Sequence, residues 1–269
     1  MSTTAAWGRY TEVRPPALEA IRAITPVAYL PWGGLSWHGP HLPLGLDTIV
    51  AEATAERAIR RTGGVLLPPL TWPLATPHHR DSLGLSAATL RALLADSLAA
   101  LAQGGWRVAV LISGHYSPGH ELLLIEAAEA AISRHGLLTL AIPPLALVDE
   151  EMLDHAALWE SSVLLALRPD LVDLNALGAG PLDPSSSAVV GRDPRETASP
   201  SLGLSVLSIA IERICSAVEA LLATGDPAPL QTLYERRRER YRSFVARYGA
   251  DPEAATAAWW QELIGGAPR

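Results

Sequence analysis

The sequence predicts an α/β fold in which a parallel sheet is covered by helices on both faces. Two observations carry the prediction. Four short apolar runs, Val27 to Pro31, Val65 to Leu67, Trp106 to Ile112 and Leu137 to Ile142, have the length and composition of buried strands. Between them lie longer stretches with apolar residues at helical spacing, so strand and helix alternate as in βαβ units, whose strands run parallel.

Each element has its own signals. Residues 1–16 read as an irregular arm, and Ala17 to Ile24 as a short helix ended by Thr25-Pro26. The first strand runs into the loop L-P-W-G-G-L-S-W-H-G-P-H-L-P-L-G-L-D, residues 30–47. Asp47 opens a helix that Gly63-Gly64 closes; an acid in the first turn and glycine past the last suit the helix dipole and a left-handed cap. The second strand leads into a long proline-rich loop with Trp72, His78 and His79, and long loops in compact domains are commonly functional. Ser86 caps a helix to about Ala102, ended by Gly104-Gly105. The third strand leaves into S-G-H-Y-S-P-G-H, residues 113–120, and a helix from about Glu121 to Arg134 returns the chain to the fourth strand. Beyond Pro144 the alternation stops. A helix is expected at about 160–167, loops over 175–203, an amphipathic helix at 204–223, and two helices at about 229–247 and 252–264. This pattern divides the chain into an α/β domain, 1–225, and a C-terminal helical extension, 226–269, packed on it.

Composition narrows the function. At 49% hydrophobic and 18% charged residues the chain can bury a large core. A net charge of −7 argues against a nucleic-acid partner, which requires a basic face. The basic run Arg236-Arg237-Arg238, flanked by Glu235 and Glu239, reads as a solvated helix face. The one cysteine, Cys215, excludes an internal disulfide and reads as a packed apolar residue. Neither a signal peptide nor an apolar stretch of about 18 residues is evident, so a cytoplasmic location without a membrane partner is the expectation.

In a parallel sheet the loops leaving the strands converge on one edge. The first strand brings His38 and Asp47 there, the third His115 and Tyr116, and the segment after the fourth Asp154, His155 and Glu160. Imidazole and carboxylate together suit zinc, iron or manganese. His41 reads as a structural histidine and His135 as a surface residue at a helix C-terminus; His78, His79 and His120 are spare imidazoles able to replace a lost ligand. Trp37, Trp72, Tyr116 and Trp159 are candidates to line a pocket for a planar substrate.

Four elements in order resemble the creatininase (creatinine amidohydrolase) family. W-H-G-P-H-L-P-L-G-L-D, residues 37–47, is similar to the family's E-Q-H-G-P-H-L-P with an acid nine residues after the first histidine; S-G-H-Y, 113–116, to N-G-H-Y; D-H-A-A-L-W-E-S-S, 154–162, to H-A-G-x-x-E-T-S; and G-R-D-P-R-E-T-A-S-P-S-L-G, 191–203, to a later G-D-P-x-x-A-T segment. The resemblance implies a three-layer α/β/α sandwich with a mainly parallel sheet, assembled as a homo-oligomer, a hexamer by family pattern. It implies a divalent-metal site that hydrolyses a C–N bond of a small cyclic amide, lactam or amidine. His38, Asp47 and His115 match metal-ligand positions, with Asp47 in the bridging place. Glu160 matches the E-T-S glutamate, and His155, with Asp154 beside it, the histidine of proton transfer. Ser36, Trp37, Tyr116 and Ser117 fall where the substrate is met.

Two departures carry weight. The family's first metal-binding acid falls on Ser36, and another acid ligand found in creatininase itself falls on Ser117. Two adjacent divalent ions repel strongly in a site of low dielectric and need several carboxylates to offset them. Only Asp47 and Glu160 remain, so the expectation is one divalent metal (Zn, Fe or Mn), or none, rather than two. Three readings follow: a hydrolase with an altered metal site and a substrate other than creatinine; a non-hydrolytic member that binds a ligand or partner; and a metal-free elimination or cyclisation led by His155.

Overall fold

The computed structural model describes residues 6–74 and 79–265. Its core is a five-stranded sheet: β1 (Trp7–Arg9), β2 (Val27–Trp32), β3 (Gly64–Leu66), β4 (Val108–Ser113) and β5 (Leu138–Ile142). The order is β1-β3-β2-β4-β5 with every pairing parallel. β2, β4 and β5 are buried at every position, as expected for strands covered on both faces.

The helices α1 (Pro15–Ile24), α2 (Leu46–Thr62), α3 (Ala87–Gln103) and α4 (Pro118–His135) connect these strands. Right-handed crossovers put α2 on one face and α3 on the other, because the chain leaves β2 toward one edge and returns past it to β4. α5 (Leu158–Leu167) and α7 (Pro200–Thr224) pack with α2, while α4 and α10 (Pro252–Ile264) share the face of α3. A single turn, α6 (Pro184–Ser187), interrupts the loop region, and α8 (Ala228–Arg240) and α9 (Arg242–Tyr248) lead to α10. Among the described residues no helix is long and apolar enough to cross a membrane.

Three expectations are corrected. The N-terminal arm is not irregular throughout: Trp7–Arg9 forms the edge strand beside β3, too short to show a pattern in sequence. The helix expected over 229–247 breaks at Tyr241 into α8 and α9. The basic run is not a wholly solvated face. Arg237 is completely buried and forks onto Glu121 of α4 through Nε–Oε1 (2.6 Å) and Nη2–Oε2 (2.8 Å), and the Tyr241 hydroxyl donates to Glu121 Oε2 at 2.6 Å. This bidentate pair ties the C-terminal helices to the α4 side of the sheet. Cys215 is buried as expected.

β2 and β4 are hydrogen-bonded neighbours in register from Val27–Val108 to Trp32–Ser113. Their carboxyl ends are therefore level, and the strand order reverses between them. Open α/β sheets place their ligand crevice at such a point.

A buried imidazole–carboxylate cluster at the sheet edge

Asp47 is the centre of the cluster. It lies in the first turn of α2, where the helix dipole favours an acid, and is fully buried. The turn after β4 presses against it: a Cβ on Gly114 would lie 1.9 Å from the Asp47 carbonyl oxygen, so only glycine admits this approach. The β2 and β4 loops are thereby clamped together, with His38 on one side of the carboxylate and His115 on the other.

Backbone partners fix the imidazole tautomers. His38 Nδ1–H donates to the Ser36 carbonyl at 2.9 Å, which leaves Nε2 without a proton in the neutral ring. That Nε2 lies 2.9 Å from Asp47 Oδ1 and 3.7 Å from Glu160 Oε2. Both atoms are buried and have no partner but each other. A pair this close needs a shared cation, which a proton on Nε2 supplies in the metal-free protein and a metal ion could replace. Asp47 Oδ2, in contrast, is satisfied. It accepts from Ser36 Oγ at 3.1 Å and from His115 Nδ1 at 2.8 Å. One half of the carboxylate is closed by hydrogen bonds and the other is bare.

His155 and Glu160 complete the bare side. One ligand atom each from His38, His155 and Glu160 lies within 4.8 Å of the others. The His38 and His155 rings are 4.4 Å apart, and His155 Nε2–H donates to the Trp37 carbonyl at 3.2 Å, leaving Nδ1 as the free nitrogen. Glu160 Oε2 accepts from the Ala156 N–H at 2.6 Å. Ala156 holds a left-handed backbone conformation (φ 51°), and His41 Nε2–H braces its carbonyl at 2.9 Å, the structural role expected of His41. Asp154 caps the first turn of α5: its oxygens accept from the N–H groups of Trp159 (2.8 Å) and Glu160 (3.2 Å). Both of its oxygens are thus engaged by backbone.

The electrostatics follow from burial and proximity. Burial opposes a charge on His38, but the Asp47 and Glu160 carboxylates outweigh it and push the imidazole up to about 9. Burial also raises Asp47, yet His38 and the bond from His115 hold it well below the usual carboxylate range. Burial pushes Glu160 well up, and Asp154 up to about 7. Burial beside His38 holds His155 well below its ordinary value, so it is neutral near pH 7.

The remaining candidates divide. Trp37, Tyr116 and Trp159 gather at the smaller apolar cluster beside the site, whereas Trp72 is largely exposed. Ser117, the residue preceding α4, is buried with its hydroxyl unpartnered. Of the spare imidazoles, His79 stacks on Trp37 at 4.5 Å, and His78 lies outside the described residues. His120 is buried with its ring 5.2 Å from His115, and its Nδ1 accepts from the Leu74 N–H at 3.3 Å. The proton is then on Nε2, a donor rather than a ligand atom. His135 ends α4 at the surface. Trp260 of α10, which no sequence pattern marked, packs its ring 4.8 Å from His155.

The chain is similar to known proteins over most of its length. The family model Creatininase (creatinine amidohydrolase) matches residues 11–264. The creatinine amidohydrolase of Pseudomonas putida is 27% identical over 229 residues, covering 71% of this chain and 88% of that protein. The mycofactocin precursor peptide peptidase of Mycolicibacterium smegmatis is 28% identical over 168 residues, covering 60% and 65%. A creatininase crystal structure superposes with a TM-score of 0.68 at 24% identity, covering 81% of this chain and 97% of its own. An Mn creatininase does so at 25% identity and a TM-score of 0.68, covering 79% and 97%. The four motifs, the parallel α/β sandwich and the match across nearly the whole chain place this protein in the creatininase family, hydrolases of C–N bonds.

Proposed function

We propose that the protein is a metal-dependent amidohydrolase that opens a C–N bond in a small cyclic amide, lactam or amidine, using one divalent ion. The observation that carries this reading is the pair His38 Nε2 and Asp47 Oδ1, buried 2.9 Å apart with no other partner, with Glu160 Oε2 3.7 Å from the same nitrogen. His38 Nε2, Asp47 Oδ1 and Glu160 Oε2 would hold the ion, with His155 beside them. Bound there, a divalent ion supplies a water of lowered pKa and polarises the amide carbonyl. Ser36 stands where the family pattern has an acid and donates to Asp47 Oδ2, which also accepts from His115 Nδ1, so that oxygen is taken up by hydrogen bonds. His115 braces Asp47 through Nδ1 and keeps its buried Nε2 without a partner, so it remains a candidate ligand atom.

His155 supplies proton transfer. Its Nε2–H is committed to the Trp37 carbonyl, so the free Nδ1 takes a proton and returns it to the leaving nitrogen. Asp154, its oxygens engaged by α5, orients the turn that carries His155 and Glu160. Trp37, Tyr116 and Ser117 form the wall that meets the substrate. Creatinine and a precursor peptide, the substrates named for the two curated relatives, share only the C–N amide bond. The altered residues Ser36, Trp37, Ser113 and Ser117 favour a substrate other than creatinine.

The test is metal analysis of protein purified without chelator, joined to amide turnover in wild type and His38→Ala. One ion per chain, lost together with turnover in the variant, is expected. Protein without metal whose turnover His38→Ala leaves unchanged would refute the reading.

A further inference from the structure

We propose that α10 is part of the active site, and that Trp260 is the positioning residue of His155. This rests on the proton-transfer role given to His155 above. Trp260 is 1% exposed, and its ring meets that of His155 at 4.8 Å with the planes inclined by 64°. The imidazole has one side-chain hydrogen bond, the 3.2 Å contact from Nε2 to the Trp37 carbonyl. A single bond at one ring corner leaves the ring free to swing and Nδ1 without a fixed direction. The neighbouring His38 ring, at 4.4 Å, limits that swing from one contact, and the indole limits it from another. Proton transfer depends on this: a misplacement of about 1 Å can cost roughly 100-fold in rate.

The placement of Trp260 is set by contacts far from the chemistry. Glu253 Oε2 accepts from the N–H of Ala87, the first residue of α3, at 2.9 Å, and this pins the start of α10. One turn before Trp260, Thr256 lies against Gly119 of α4 so closely that a Cβ there would come 2.0 Å from Thr256 Oγ1 and 2.5 Å from the Pro252 carbonyl. Gly119 therefore sets the depth of α10. Trp259 (4.5 Å from Trp260) and Phe244 of α9 continue the ring contacts outward. A segment that looks like an appendage in sequence thus reaches the centre of the site.

The test is imidazole NMR on 15N-histidine-labelled, full-length protein, before and after zinc addition. In wild type His155 should show one tautomer, with proton-bearing Nε2 and bare Nδ1 widely separated. Trp260→Leu, which keeps apolar bulk without a flat edge, should bring the two resonances toward each other as the ring samples other orientations. Gly119→Ala, which lifts α10 without touching the ring, should do the same. Trp260→Phe should restore the wild-type spectrum. The His41 resonances, fixed by the Ala156 carbonyl, report whether the fold is intact. Unchanged His155 resonances in Trp260→Leu, with His41 also unchanged, would overturn the proposal. So would an equal disturbance of His41, which marks a general loss of packing. The readout does not depend on turnover, so a failure of the ring-positioning proposal and a failure of the hydrolase reading are told apart.

Discussion

Metal binding should compete with a proton on His38. In the metal-free protein the Asp47 and Glu160 carboxylates push His38 up to about 9, against an ordinary value of about 6.5. At pH 7 the ring is therefore protonated, and an ion taking Nε2 must displace a proton held about two decades tightly, roughly 3 kcal/mol. The apparent affinity for zinc should rise about tenfold per pH unit from pH 7 to 9 and then level off. Isothermal calorimetry at pH 7 in two buffers of different ionisation enthalpy should find about one proton released per ion. The sign for stability is opposite. Because the folded value is raised, the stabilisation of metal-free protein is complete below about pH 6.5 and is lost as pH rises through 9, by up to about 3 kcal/mol. Zinc-loaded protein should not show this loss. An affinity flat between pH 7 and 9, with no proton released, would refute the assignment of His38 Nε2 as the metal-facing atom.

Three further outcomes are expected. Ser36→Glu puts a carboxylate where the Ser36 hydroxyl donates to Asp47 Oδ2, and should raise the bound metal from one ion to two per chain by elemental analysis; folded protein that still holds one ion contradicts the account of a closed half-site. Arg237→Ala leaves Glu121 charged and buried without its fork, and chemical denaturation should show a loss of about 3–5 kcal/mol; a loss under about 1 kcal/mol would mean the pair is not the anchor of the C-terminal helices. Ala156→Gly removes a left-handed alanine (φ 51°) and should be neutral or stabilising by about 1 kcal/mol in thermal unfolding, since relief of strain offsets the added freedom of the unfolded chain; marked destabilisation would show that the methyl group matters for packing.

The central strands were legible because β2, β4 and β5 are continuous apolar runs, the pattern of strands covered on both faces. β1 was not, because three residues, Trp7-Gly8-Arg9, carry no periodicity and gain their place only by pairing with β3. The break at Tyr241 has no glycine or proline to announce it; it falls beside the buried Arg237–Glu121–Tyr241 network, which links positions more than a hundred residues apart. The same limit applies at the site. His38, Asp47, His115, His155 and Glu160 were found by motif and converge. That Ser36 would close one half of Asp47, that His120 would present a protonated Nε2, and that Trp260 would reach His155 depend on tautomers and long-range packing, which local sequence does not encode. His41 reads in the sequence only as a structural histidine, and its bond to the Ala156 carbonyl supplies the partner.

The central claim is that one divalent ion binds on the His38 side of Asp47. Anomalous diffraction at the zinc edge, from crystals grown with excess zinc, tests it most directly. A single peak about 2.0–2.2 Å from both His38 Nε2 and Asp47 Oδ1 is the predicted result. A peak between Asp47 Oδ2 and His115, or a pair of peaks bridged by Asp47, would contradict it.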